Sequence, residues 1–90
     1  MIDEIKAHAA ATRGAQAAEL MRNEMLIEAF DNLEKAYISE WRDAKLMVQR
    51  ENLWMAVDVI GKVKDHLRTI ISNGRLAQRE LDNLHKTRKA

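Results

Sequence analysis

Ten residues between Leu53 and Leu84 constrain this chain more than anything else in it. Leu53, Ala56, Ile60, Val63, Leu67, Ile70, Gly74, Ala77, Leu81 and Leu84 recur at alternating spacings of three and four. That is the heptad period, which keeps one stripe of an α-helix facing a neighbour. The chain has no proline, so no residue in this stretch forces the helix to stop. The difficulty is Asn73-Gly74, a common helix-stop pair, with glycine suited to the position just past a helix and Arg68 suited to a last turn. A chain that turned at Gly74 would have no need to keep its phase beyond the turn, and the following "RLAQ" offers no N-cap for a new helix. A glycine inside a helix costs roughly 1 kcal/mol relative to alanine, which a seam position offsets by admitting a close neighbour. The spacing therefore predicts a helix that runs through Gly74, with the glycine as a contact point or joint. Gly61, beside seam residue Ile60, reads as a surface or flank glycine that allows close packing.

The remainder follows the same period. Residues 3–22 form an alanine-rich helix in which Ala7, Ala11, Gly14, Ala18, Met21 and Met25 make a stripe of small residues and methionines, small enough at Ala and Gly to let a neighbouring backbone come close. Asn23 is a competent N-cap, and Glu24 suits the first turn of a second helix over about 24–43. Leu26, Phe30, Leu33, Tyr37 and Trp41 form its apolar stripe, broadened by Ala29 and Ile38. The pattern loses phase near residues 43–48, where a short connection is expected before a third helix over about 48–86. The predicted fold is all-α: a single helical domain over 1–90, two or three helices in a hairpin or bundle, with a long C-terminal heptad helix. Trp41, Trp54, Phe30, Leu33, Tyr37, Leu53, Ile60, Val63 and Leu67 are expected to be largely buried.

A chain of 90 residues with no cysteine has a small core and no covalent staple, and such chains gain stability by oligomerising or docking. Leu81 and Leu84 extend the seam past what one helix pair of this length covers, so another subunit or partner is expected there. The net charge of +1 conceals an asymmetry: residues 1–61 hold 7 Lys/Arg against 11 Asp/Glu, and residues 62–90 hold 8 against 3. Such a chain can pair with itself or present its basic end to an acidic partner. No window approaches the length of a membrane span, and the first residues lack the apolar run of a signal peptide. A cytoplasmic protein is expected.

Chemistry is sparse. No phosphate-binding glycine loop, metalloprotease helix, EF-hand loop or nucleophile elbow occurs. His8, His66 and His85 stand apart, and Asp82 with His85 supplies two ligands where a metal site needs more. The carboxylates of the second helix form a solvated row rather than a cleft pair with split environments. No catalytic, cofactor or metal residue, and no small-molecule substrate, is expected. Leu53, Ile60, Val63, Leu67, Ile70, Gly74, Leu81 and Leu84 are the expected partner-binding seam. Arg75, Arg79, Lys86, Arg88 and Lys89 are candidate contacts to nucleic acid or an acidic partner. Trp41 and Trp54 are either a core clamp or a hot spot for protein binding.

The stretches "EAFDNLEKAYISEWRDA", "RENLWMAVDVIGKVKDHLRTII" and "SNGRLAQRELDNL" together resemble a type of small helical protein found in phage and prophage genomes. There, a helix with a Phe and a Trp precedes one similar to "LW…V…L" that leads into an "NG…A…L" ending. The resemblance spans about residues 24–84. It implies a phage origin, a place in the host cytoplasm or a phage particle, and a role around the virion or DNA packaging; it carries no binding residue onto this sequence. The leading expectation is a non-enzymatic interaction protein that self-associates or joins a larger phage protein as a structural or assembly component. The alternatives are a nucleic-acid-binding accessory using the basic C-terminal third, and an adaptor or inhibitor of a host protein acting through Trp41 or Trp54.

Overall fold

The computed structural model describes residues 3–89, the side chains of residues 88 and 89 excepted. The described residues form three helices and no strand: α1 (Glu4–Arg22), α2 (Glu24–Asp43) and α3 (Met47–Lys89). Each early boundary has a local cause. The Asp3 carboxylate accepts from the backbone N–H groups of Ile5 and Lys6 at 3.1 and 3.2 Å, satisfying two donors that the first turn leaves open. Asn23 alone separates α1 from α2. Its backbone is extended (φ −74°, ψ 108°), and its side-chain oxygen accepts from the Leu26 N–H at 3.0 Å, a cap worth about 1 kcal/mol. Beyond Asp43 the chain leaves the helix at Ala44 (φ −69°, ψ 129°), whose N–H still donates to the Glu40 carbonyl at 2.8 Å. The Arg50 guanidinium closes the three-residue turn by donating to the Ala44 carbonyl at 3.3 Å.

α3 is a single helix of 43 residues. None of the described glycines has a positive φ, so Asn73-Gly74 does not end it, as the unbroken phase predicts.

The chain divides into two compact units, one of residues up to Leu20 together with those from His66 onward, the other Met21–Asp65. In the first, α1 and the C-terminal part of α3 run antiparallel: Ala7 belongs to one cluster with Ala77 and Leu81, while Gly14 meets Gly74. Ala10 and Ala11 pack against that cluster. The backbones touch at the glycines. A Cβ built on Gly14 would lie 2.7 Å from the Gly74 Cα, and one on Gly74 would lie 2.6 Å from the Gly14 Cα and 2.9 Å from the Ala10 carbonyl oxygen. The buried residues of α1 are Ala7, Gly14 and Ala17, so the small stripe is the packed face. It stops short of Met25, which is 79% exposed because the Asn23 break places it on a different helix. Leu81, expected to lie beyond the cover of one helix pair, is instead 4% exposed, because α1 lies against it.

In the second unit α2 and residues 47–65 of α3 form an antiparallel hairpin. Trp41 meets Trp54 near the turn, and Lys64 meets Asp31 and Glu34 further along. Here the burial expectations need correction. Among residues 21–65 only Ile60 is buried, and α2 buries none of its residues fully. Phe30, Tyr37, Trp41 and Leu53 are half-covered, and so is Leu67, which lies in the first unit. Leu33 is 45%, Trp54 60% and Val63 41% exposed. Two facing helices cover a side chain from one side only, so a seam residue keeps its flanks open unless a third helix closes over it. The seam also shifts locally. Beside Leu53, Ala56 and Ile60 of the expected stripe, Val57, Gly61 and Lys64 are covered as well, so the contact face is wider than one stripe and turns toward the next residue at its end. Lys64 takes the place expected for Val63.

Candidate interaction surfaces

Lys64 shows why a lysine can occupy a seam. Its aliphatic stem lies in the helix contact, leaving the side chain 15% exposed, while the ammonium emerges at the edge and donates to Asp31 Oδ1 at 3.1 Å and Glu34 Oε2 at 3.2 Å. Those hydrogen bonds, the one to Asp31 first, hold its pKa above the ordinary lysine value of 10.5. Asp31 and Glu34 stand three apart on α2, which puts both on one helix face. Sequence reasoning assigned the acids to solvent and counted Lys64 only among the basic residues from Lys62 onward that could contact phosphates. The usable signal was that four steps from Ile60 reach a lysine whose stem can fill the position as well as Val63 does at three.

The turn end of the hairpin carries a second group. The Arg50 guanidinium carbon stands 4.2 Å from the centroid of the Trp41 ring, and the Trp41 and Trp54 rings are 6.2 Å apart with their planes at 46°. A cation over a tryptophan face and a tilted ring pair are both favourable electrostatic arrangements. Beside them lies an open cleft of about 540 Å³ lined by Trp41, Lys45, Met47, Arg50, Glu51 and Trp54. Trp41 thus belongs to the fold, held between Arg50 and its neighbour, while Trp54 shows most of its surface to solvent. Arg50 went unnoticed in the sequence because it joins Trp41 only once the chain has turned.

The expected partner seam is divided by the fold. Ile60, Gly74 and Leu81 are buried within their own units, Leu53, Leu67, Ile70 and Leu84 are half-buried, and Val63 is exposed. Gly74 and Leu81 are occupied by α1. Of the basic candidates, Arg75, Arg79 and Lys86 are exposed. Their four- and seven-residue steps put them on one face of α3, interrupted by Asp82, whose carboxylate accepts from Gln78 at 2.9 Å. The side chains of Arg88 and Lys89 lie outside the described residues. His8, His66 and His85 are all exposed, and among the described residues no three His, Asp or Glu side chains gather as metal ligands do. No helix among the described residues is long and apolar enough to cross a membrane. No protein-family model matches the chain, and no curated protein or solved structure matches it either.

Proposed function

We propose that this chain is a non-enzymatic helical interaction protein that acts by helix-on-helix self-association, as a structural or assembly component of a phage. One observation supports the self-association: across residues 21–65 only Ile60 is buried, while Met25, Leu33, Met55, Val59 and Val63 stand exposed. Monomeric proteins rarely leave so much contiguous apolar surface in water. The phage assignment draws on the resemblance of residues 24–84 alone, and with it goes a place in the host cytoplasm or in a particle.

A second reading, a nucleic-acid-binding accessory, draws on the exposed face of Arg75, Arg79 and Lys86. Light scattering at low and high salt, with and without a DNA duplex, separates the two. Self-association through apolar contacts gives an oligomer whose mass is indifferent to salt and DNA. A monomer that gains mass only with DNA at low salt reverses the ranking, since phosphate contacts weaken steeply as salt rises.

A further inference from the structure

The exposed apolar residues of the hairpin are not scattered. Lys64 on α3 bridges to Asp31 and Glu34 on α2 and so marks one edge of the helix pair as its charged edge. Leu33 and Val63 each stand one residue before a member of that bridge. One residue turns a helix by about 100°, and in an antiparallel pair the two turns carry both side chains to the same, opposite edge. Along that edge Val59 and Met55 precede Val63 at four-residue steps, and Ala29 and Met25 precede Leu33 likewise, a spacing that keeps them on one side of each helix. All six are exposed. The hairpin therefore has a bridged edge and an apolar edge, the second built equally from both helices.

We propose that the apolar edge is the docking face for a second copy of this chain, with α2 of one copy lying along α3 of the other, so that two hairpins complete a four-helix bundle. This rests on the self-association reading and names its surface. Two observations select a second copy as occupant. The first is area: the six side chains leave on the order of 600 Å² open per copy, most of the roughly 800 Å² that one side of a standard interface covers. The second is charge. α2 carries six acids against two bases, while the part of α3 in the hairpin, residues 47–65, carries three of each. Setting α2 against its own twin would bring like charges together, whereas setting it against the balanced hairpin stretch of the other copy's α3 avoids that repulsion. Closure of two hairpins into four helices also covers the half-open flanks of Phe30 and Tyr37, which no intrachain helix of that unit does.

The test uses the full chain. Leu33→Glu combined with Val59→Glu places charges on the edge without touching the bridge, and the variant is expected to be monomeric by light scattering with unchanged helicity by circular dichroism. Trp54→Ala, on the other side of α3 from Val59, is expected to keep the wild-type mass. The chain has no cysteine, so single-cysteine variants Ala29→Cys and Val59→Cys can be mixed and oxidised without background. The mixed Ala29→Cys/Val59→Cys disulfide, told apart by mass, should exceed the Ala29→Cys homodimer several-fold. A monomeric wild type overturns the self-association reading and this face with it. An oligomer that survives the double glutamate, or is lost in folded Trp54→Ala, overturns the face alone. A dominant Ala29→Cys homodimer overturns the pairing of α2 with the other copy's α3, even if the glutamate variant fails to fold.

Discussion

A methyl group added at Gly74 would point at the Gly14 Cα from 2.6 Å, and what it meets is backbone that no side-chain rotation can clear. Gly61 lies in the same helix, yet a methyl there meets nothing within 4 Å. Helix propensity favours alanine by the same amount at both sites, so the difference between them is packing alone. Gly74→Ala is expected to destabilise the chain by about 1–3 kcal/mol, because the two helices must part to admit it. Gly61→Ala is expected to stabilise by about 0.5–1 kcal/mol. Urea denaturation followed by circular dichroism reads both, and a neutral or favourable Gly74→Ala would remove the close crossing from the account. The sequence could place Gly74 at a contact, since its phase with the seam was visible. It gave no such reason for Gly61, whose expected close packing has no neighbour in the structure.

At the scale of the element, the hairpin depends on a lysine in an apolar seam. Lys64 has a raised pKa because its ammonium donates to Asp31 and Glu34. A group whose folded pKa is raised contributes stability that is complete below its unfolded pKa and is lost as pH rises through the folded value. Lys64→Met keeps the stem and removes the charge. At neutral pH it is expected to lower stability by about 0.5–1 kcal/mol, the scale of partly solvated ion pairs. The deficit should shrink as the pH climbs above 10.5, where the wild type itself loses the proton. Paired urea titrations across that range check it, and a gap that stays constant would show that the deficit does not come from the bridge. The three helices were legible because Asn23 caps and the 3.6-residue period are local signals. Burial in the hairpin was not legible: whether Val63 or Lys64 faces α2 depends on which flank of Ile60 the second helix lies against, and whether Trp54 is covered depends on how many helices close over it. Neither is written in a single stretch of sequence.

At the scale of the whole molecule, α3 runs through both units, but they are held in different ways. One is close-packed through Ala and Gly; the other leaves its larger side chains half-covered. Binding between folded copies stabilises the folded state by mass action. If the apolar edge pairs two chains, the melting temperature should rise by several degrees over a hundredfold increase in concentration, and in the Leu33→Glu/Val59→Glu variant it should not move. Scanning calorimetry at several concentrations gives the answer, and a concentration-independent wild type would count against any oligomer. The site was only partly legible for a related reason. The seam from Leu53 to Leu84 marks where helices meet but not whether the other helix belongs to the same chain, and Gly74 and Leu81 meet α1. The glycine crossing also has a genetic consequence. Gly14 and Gly74 are each already the smallest residue available, so an enlargement at either has no intragenic suppressor at the other. Lineages that retain this joint must hold both codons at glycine together, and a lineage that loses one is released from keeping the second.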